Sequence, residues 1–467
     1  MDEEREVLTR IETDLLGEVK VPAGALYGAQ TARAVRNFPV GNQRTIGSFP
    51  HLIRALLLIK KSAALTNEAI GALPERVAQA IVEAADKLLQ ALPPDEFPVH
   101  CLHGGGGTSA NMNVNEVLAN LSEEILGGQR GEYRLVHPND HVNLHQSTND
   151  VYPTACHMAV ISQWQALGAS LTRLGRALAR AGEAYHDQVR LARTCLQDAV
   201  DISFGSYLGG MACQVDRLTA RLDDAVDRLH AVNLGGTICG RPEDAPTAYL
   251  ERIIGSLASV TGDGRYRRVD DLFDGAQNPD ELVAVSAGLE ILARSLIKIA
   301  SDFRLLSSGP EAGLGEIALP AVQPGSSIMP GKVNPVVPEF VIQIAFRVIG
   351  NHAMCAAGLD HGELDLNVWE SSMLVPILEA MELLESGIET FMSRCVLGMR
   401  PNPEANARHA RTLIPRLTRL SRLHGYQRVT AICKQAQGDL STLRKLLDRN
   451  FPDSNRQDEP TGASRSS

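Results

Sequence analysis

Proline is absent from one long central stretch of the chain, which runs from Thr154 to Arg241. Its first part, residues 154–188, keeps apolar side chains at spacings of three and four, as one face of a helix requires. Such a helix is far longer than the usual ~11–12 residues. The stretch therefore predicts a long amphipathic helix, which needs a large partner surface to cover its apolar face.

Four further segments show the same helical periodicity. They cover residues 207–232, 279–306, 337–357 and 371–397. Several are too apolar for a helix with one solvent face, which indicates burial on most sides and packing against other subunits. Aromatic residues make up only 4% of the chain, which also favours packed helices over sheets. We therefore predict a mainly α fold built on a bundle of long helices.

The two ends of the chain differ from this centre. The first 146 residues are rich in glycine and proline and predict shorter helices, at residues 53–69, 74–91 and 115–125. The last part is polar and basic, and residues 455–467 have the composition of a disordered tail. These differences predict three domains, at residues 1–146, 147–401 and 402–467.

The charge and the cysteines exclude several classes of protein. A net charge of −10 is unsuited to nucleic acid, which needs a basic surface. The eight cysteines include no CxxC pair, so we expect reduced thiols of a cytoplasmic protein rather than a zinc or dithiol site. The N-terminus lacks the apolar core of a secretory signal, and no apolar run approaches the roughly 18 residues of a membrane span. We expect neither a nucleic-acid partner nor a membrane.

Three histidines recur at every fourth residue, at His137, His141 and His145. Pro138 lies among them and interrupts a continuous helical face. We therefore expect no metal site there.

Two segments rich in small and hydroxyl-bearing residues lie just ahead of helices. In HGGGGTSANMNVNE, four glycines precede Thr108. They can let backbone N–H groups approach a ligand closely, or they can form a tight turn that packs against the helix. In HPNDHVNLHQSTNDVYPTA, the side chains of Ser147, Thr148 and Asn149 can cap the long helix or bind an anion. Both interpretations stay open for both segments.

Two later segments add a cation and further hydroxyls. LARTCLQDAVDISFG is a polar break between two long helices and contains Thr194. GSSIMPGKVNP combines Ser326 and Ser327 with Lys332 and Asn334. A serine can act as a nucleophile, or as an oxyanion base, where backbone N–H groups and a nearby cation lower its pKa. No Ser-His-Asp arrangement is evident locally, so acyl transfer is the weaker interpretation.

Together the four segments supply many neutral donors and one lysine. This set suits a small dicarboxylate, with one carboxylate on Lys332 and Asn334 and the other among hydroxyls. It also suits an aci-carboxylate, the doubly charged anion formed when a proton leaves the carbon beside a carboxylate.

The same segments resemble the aspartase/fumarase superfamily. GSSIMPGKVNP matches its signature nearly letter for letter, and GTSANMNVNEVLAN, QSTND, RTCLQDA, RLLSSGP and GELDLNV agree in order and spacing, over roughly residues 8–400. The resemblance implies a three-domain fold whose central five-helix bundles form the 20-helix core of a homotetramer, with each active site shared by three subunits. It implies a cofactor-independent lyase that reversibly eliminates a group, in the anti sense, from a substituted succinate to give fumarate.

The resemblance also implies roles at matching positions. Ser326 resembles the catalytic base that removes the Cβ proton. Groups that hold the α-carboxylate correspond to Thr194, Lys332 and Asn334. Groups that bind the β-carboxylate and stabilise the enediolate-like intermediate correspond to Thr108, Ser147, Thr148 and Ser327. Asn149 matches a position near the departing group.

The leaving group stays open between ammonia, water and another nitrogen substituent. STND at 147–150 and PVVPE at 335–339 favour an ammonia-lyase acting on L-aspartate or a close N-substituted analogue. HPND at 137–140 favours a class II fumarate hydratase.

Cys195 departs from the family's pattern. It stands where fumarases and some aspartases carry a histidine paired with the glutamate that matches Glu339. The smaller cysteine can enlarge the pocket near the leaving group and admit another amine or a nitro group, as in a specialised biosynthetic lyase. Alternatively it is a buried thiol without catalytic consequence.

Further departures concern the outer parts of the chain. Glu311 replaces an arginine that is usual in the family, and the C-terminal part, about residues 402–454, is shorter than normal. A protein that keeps the fold without the activity is the alternative outside the enzymes.

Overall fold

The computed structural model describes residues 8–39, 41 and 44–452. Helices dominate this part of the chain. They are α1 (Ala29–Asn37), α2 (Pro50–Ala69), α3 (Glu75–Gln90), α4 (Thr108–Ile125), α5 (Thr148–Ala184), α6 (Phe204–Arg228), α7 (Thr247–Thr261), α8 (Leu272–Gln277), α9 (Asp280–Leu306), α10 (Val336–Asp360), α11 (Glu370–Arg394), α12 (Pro403–Ala410), α13 (Leu413–His424), α14 (Tyr426–Gln435) and α15 (Leu440–Asn450).

The strands of the described residues form small two-stranded pairs. Two antiparallel hairpins are β1 (Thr9–Asp14) with β2 (Gly17–Pro22), and β3 (Val189–Thr194) with β4 (Gln197–Ser203). The shorter pairs are β5 (Ala231–Val232) parallel to β6 (Arg267–Arg268), and β7 (Ile317–Ala318) antiparallel to β8 (Arg400–Pro401).

The mainly α fold and the five predicted long helices are confirmed. They are α5, α6, α9, α10 and α11, each within a few residues of the predicted bounds apart from the start of α5. The predicted short helices correspond to α2, α3 and α4, and α4 begins earlier than predicted, at Thr108. The segment 191–205, predicted only as a polar break, lies largely in the β3–β4 hairpin. The tail at 455–467 lies outside the described residues.

Helix α5 begins before Pro153, although a proline usually interrupts a helix. Pro153 has no N–H, so the carbonyl of Asn149, four residues earlier, receives no bond from it. The side-chain amide of Asn233 donates to that carbonyl at 3.2 Å. This long-range bond replaces the missing one and explains why the predicted start at residue 154 is wrong.

The described residues fall into two compact units. Unit 1 lies within Met1–Gly168, Ala220–Ala293 and Phe346–Leu384, and unit 2 lies within Ala169–Thr219, Arg294–Ala345 and Glu385–Ser467. The three contiguous domains proposed from the sequence stay a prediction.

Contacts between long helices hold each unit together. In unit 1, the indole of Trp164 on α5 donates to Asp223 on α6 at 2.7 Å. In unit 2, the hydroxyl of Tyr207 on α6 donates to Asp302 on α9 at 3.0 Å, and the rings of Phe303 and Phe391 pack edge to face. The long helices therefore pack on one another as in a bundle.

Helix α10 is the one helix of the described residues that is long and apolar enough to cross a membrane by length and composition. Core helices of soluble proteins meet the same criteria. Its apolar side chains are not all covered within the chain, because Phe340, Phe346 and Met354 are exposed.

Candidate functional site

The predicted site residues are divided between the two units. Unit 1 contains Thr108, Ser147, Thr148 and Asn149. Unit 2 contains Thr194, Cys195, Ser326, Ser327, Lys332, Asn334 and Glu339.

The glycine-rich loop of unit 1 makes a tight turn into α4. Gly105, Gly106 and Gly107 all have positive φ, at 88°, 55° and 86°. A Cβ on Gly107 would lie 2.3 Å from the ring of Tyr152, so this glycine is required for close packing. A Cβ on Gly105 would meet nothing within 4 Å. The loop is therefore closely packed at Gly107 and open at Gly105. Thr108, which follows Gly107, is exposed.

The hydroxyls of Ser147 and Thr148 are both engaged as acceptors. The amide of Asn111 on α4 donates to Thr148 Oγ1 at 3.0 Å, and the backbone N–H of Asn149 donates to Ser147 Oγ at 3.2 Å. Each hydroxyl therefore keeps its own proton to donate to an anion. Capping and anion binding are compatible at this helix start.

A loop that includes Gly235, Thr237 and Ile238 fixes the start of α5. Asp150 is fully buried and accepts from the backbone N–H groups of Gly235 at 2.8 Å and Thr237 at 3.3 Å. Burial raises the pKa of Asp150 to about 6. Asn149 donates to the carbonyl of Ile238 at 2.7 Å. Asn149, which is predicted to lie near the leaving group of the substrate, is therefore oriented by this loop. Nothing in the sequence indicated that the loop belongs to the site.

In unit 2, the half-buried Ser326 has a distinctive hydrogen-bond pattern. Its Oγ accepts from the backbone N–H groups of Ile328 at 3.2 Å and Met329 at 3.0 Å. Donors aimed at a hydroxyl oxygen favour its ionised form over the neutral one. This is the geometry that a serine base needs.

The rest of this loop closes on itself. The N–H of Gly325 donates to the carbonyl of Lys332 at 2.8 Å, and the amide of Asn334 donates to the carbonyl of Gly325 at 2.9 Å. A Cβ on Gly325 would lie 2.8 Å from both Asn334 N and Lys332 O, so glycine is required here. Lys332 and Ser327 are exposed. The closure brings Ser326, Lys332 and Asn334 into one compact loop.

Thr194 and Cys195 lie at the turn of the β3–β4 hairpin. Cys195 and Leu196 both have positive φ, at 52° and 61°, as in a type I′ turn. Cys195 is exposed in the single chain, so its thiol is not buried within its own subunit. The turn presents Thr194 and Cys195 outwards.

A buried carboxylate anchors this hairpin within unit 2. Glu316 has no exposed surface and accepts from Arg193 at 2.6 Å, and it lies 2.9 Å from His409 Nδ1. Arg193 directly precedes Thr194. Glu316 therefore fixes the base of the turn to helix α12, which the sequence analysis did not foresee.

Glu339 has a partner other than the one suggested by the family pattern. It lies in the first turn of α10 and accepts from Arg304 of α9 at 3.1 Å. Arg304 therefore balances the negative charge of Glu339 within unit 2. Position 195, where the family pattern has the histidine that pairs with this glutamate, is a cysteine.

The histidines at 137 and 141 bond to backbone. His137 Nδ1 accepts from the N–H groups of Asn139 and Asp140, both at 3.2 Å, and His141 Nδ1 accepts from His137 N at 2.9 Å. Over the described part of the chain, no group of three or more His, Cys, Asp or Glu residues is placed to hold a metal ion.

Glu370, at the start of α11, gives a prediction for stability. Burial raises its pKa to about 8, and its Oε2 has no hydrogen-bond partner. The carboxyl of the unfolded chain ionises near pH 4.5, below the pKa of the folded group, so the free energy of unfolding falls as the pH rises between the two values. We expect Glu370→Gln to stabilise the protein at pH 8 more than at pH 5. Urea denaturation of both proteins at the two pH values tests this, and an equal difference at both would contradict it.

Comparisons with known proteins identify the family of this chain. Residues 17–350 match a family model described as Lyase. An aspartate ammonia-lyase of Bacillus sp is 38% identical over 94% of this chain and 92% of its own length. A class II fumarate hydratase of Ralstonia nicotianae is 40% identical over 94% of each chain.

Solved structures show the same fold. The structure of fumarate lyase:delta crystallin from Brucella melitensis bound to cobalt has a TM-score of 0.92 and 41% identity, covering 96% of this chain and 97% of that one. A class II fumarase from Schistosoma mansoni has a TM-score of 0.91 at 32% identity, covering 97% of this chain and 98% of that one. This chain is therefore a lyase of the aspartase/fumarase superfamily.

Proposed function

We propose that this protein reversibly eliminates ammonia from L-aspartate, or an amine from a close N-substituted aspartate, to give fumarate. The observation that carries the proposal is the pair of backbone N–H groups, of Ile328 and Met329, that donate to Ser326 Oγ. They stabilise a serine oxyanion, which is a base strong enough to remove a proton from carbon beside a carboxylate.

The proposed reaction has two steps. The Ser326 oxyanion takes the Cβ proton, and the C–H electron pair moves into the β-carboxylate to form the aci-carboxylate. The hydroxyl protons of Ser147 and Thr148 are available to stabilise this charge. The pair then returns to form the carbon–carbon double bond, and the amine leaves Cα with the electrons of the C–N bond. Lys332 holds the α-carboxylate during both steps, assisted by Thr194 and Asn334.

The leaving group is tested by running the reaction in reverse. Fumarate is incubated in buffer alone, with ammonia, with hydroxylamine or with small amines, and the loss of its ultraviolet absorbance is followed. Loss only with ammonia supports the aspartase reaction. Loss in buffer alone supports a fumarate hydratase, and loss only with another amine supports a specialised lyase. No loss under any condition would refute all three.

Cys195 gives a prediction about leaving-group preference. A histidine there is larger, and histidine is among the residues that tolerate a positive φ. We expect Cys195→His to lower kcat/KM for bulky amines relative to ammonia by about tenfold, because the pocket becomes smaller, with little change in KM for fumarate. The control is Cys213→His, at an exposed cysteine on α6. An unchanged ratio between ammonia and bulkier amines would contradict the pocket argument.

We also propose that four copies of the chain associate, and that each active site takes segments from three of them. The exposed Phe340, Phe346 and Met354 on α10 support this, because a second copy would cover them. Mixing two inactive variants, Ser326→Ala and Thr148→Ala, after reversible dissociation tests the sharing of sites. Recovered activity is expected, and no recovery in a mixed tetramer would contradict it.

A further inference from the structure

Lys60 is a fully buried cation near the middle of α2. Its neighbour Lys61 forms an ion pair with Asp86 at 2.6 Å, but none of the ion pairs found among the described residues includes Lys60. A buried ammonium without a bonded carboxylate is costly to fold. The position of Lys60 therefore needs an explanation other than stability.

The contacts of Lys60 are side-chain amides. Its Nζ donates to Asn143 Oδ1 at 2.8 Å and to Gln146 Oε1 at 3.1 Å. Asn143 Oδ1 also accepts from Asn111 at 3.2 Å and from Asn115 at 3.1 Å. Three donors thus converge on one oxygen, and Lys60 supplies the only charge among them.

This cluster leads directly to the candidate site. Asn111, which shares the oxygen of Asn143 with Lys60, also donates to Thr148 Oγ1 at 3.0 Å. The charge of Lys60 is therefore separated from the Thr148 hydroxyl by two side-chain amides. The side chains of Ser147, Asn111 and Asn143 are neutral. The buried carboxylate of Asp150 is the negative charge beside them, and its Oδ1 accepts from the backbone N–H of Ser147 at 3.0 Å.

The electrostatics of the cluster favour an incoming anion. Burial lowers the pKa of Lys60 to about 7, while the charge of Asp150 opposes this shift. In a buried environment the Coulomb interaction with a carboxylate is several times stronger than in water. An anion at Thr148 therefore stabilises the charged form of Lys60, and the charged form strengthens anion binding in return.

We propose that Lys60 is a positioning residue that supplies the positive charge behind the carboxylate held at Ser147 and Thr148, acting through Asn143 and Asn111. The inference rests on the proposed function, in which that carboxylate is the β-carboxylate of the substrate. It gives the hydroxyl side of the site a cation that complements Lys332 on the other carboxylate.

The test separates the charge of Lys60 from its hydrogen bonds. Lys60→Gln keeps a hydrogen-bonding amide without the charge, Lys60→Met removes both, and Lys61→Met is the matched control on the same helix. For each protein, kcat and KM for fumarate are measured with the nucleophile that the wild type uses, together with the inhibition constant of succinate. Thermal unfolding and molecular mass verify folding and assembly.

We expect both Lys60 variants to raise KM and the inhibition constant of succinate by about tenfold or more, with Lys61→Met unchanged. If Lys60→Gln binds succinate as the wild type does, Lys60 is structural and the inference is wrong. If both Lys60 variants fail to assemble, Asn111→Ala decides, because it breaks the connection to Thr148. Unchanged succinate inhibition in Asn111→Ala would contradict the inference.

Failure of the proposed function has a different signature. In that case the wild type itself neither consumes fumarate nor binds succinate in a direct calorimetric titration. A wild type that binds succinate, with Lys60→Met binding it equally well, would overturn only the role of Lys60.

Discussion

Replacing Ser326 by alanine is expected to lower kcat for the loss or formation of fumarate by about 10³-fold or more, since the reaction loses its base. KM is expected to change little, because Ser326 acts on the Cβ–H bond rather than on a carboxylate. Steady-state kinetics in both directions measure both quantities.

The control for Ser326→Ala is a serine whose hydroxyl oxygen also accepts from a backbone N–H but which is not assigned to the site. Ser203 Oγ accepts from the backbone N–H of Ser206 at 3.0 Å, so Ser203→Ala also removes a hydroxyl that caps a turn. We expect Ser203→Ala to retain wild-type kcat. Retention of most activity by Ser326→Ala would refute its role as the base.

Replacing Lys332 by methionine is expected to reduce kcat/KM by about 10²-fold, mainly through KM, because a charge-assisted bond to the α-carboxylate is lost. Lys332 is exposed, and none of the ion pairs formed within the described chain includes it, so its charge is available to a ligand. The inhibition constant of succinate should rise in parallel.

Lys298→Met is the matched control for Lys332→Met. Lys298 pairs with Asp302 at 2.5 Å on the surface of α9, so its loss removes one positive charge from the same unit. Equal effects of the two substitutions would show that only net charge matters, and would contradict a specific carboxylate contact at Lys332.

The large features of the fold could be predicted because they depend on local periodicity. Apolar side chains recur at helical spacing through α9 and α10, so these helices are close to their predicted bounds. The loop 325–335 could be singled out by its composition, and its closure follows from Gly325 and Asn334, both within the motif.

The features that were missed depend on residues far apart in the chain. Helix α5 continues through Pro153 because Asn233 bonds to the carbonyl of Asn149. The β3–β4 turn has positive φ at Cys195 and Leu196 without the glycine or asparagine that usually marks such a turn. Tertiary contacts decide both cases, and sequence patterns do not record them.

The burial of Lys60 could not be predicted, because the sequence around it fits both a buried and a solvent-exposed lysine. Lys60 lies in the apolar run LLLIKKSAAL beside Lys61, and adjacent lysines on a helix usually indicate a solvent-exposed face. Only one of the two is exposed enough to pair with a surface carboxylate. The hydrogen-bond partners of the buried Lys60, Asn143 and Gln146, lie more than 80 positions later. A single sequence cannot link them.

Addition of one proton and one nucleophile to opposite faces of fumarate can be observed by isotope labelling. Fumarate and the active nucleophile are incubated with the protein in D₂O, and the product is analysed by proton NMR. We expect a single deuterium on the carbon next to the one that bears the new substituent. The product should be one diastereomer, and its vicinal coupling constant should match anti addition. A mixture of diastereomers, the syn isomer, or no product with any nucleophile would show that the protein does not catalyse this anti addition.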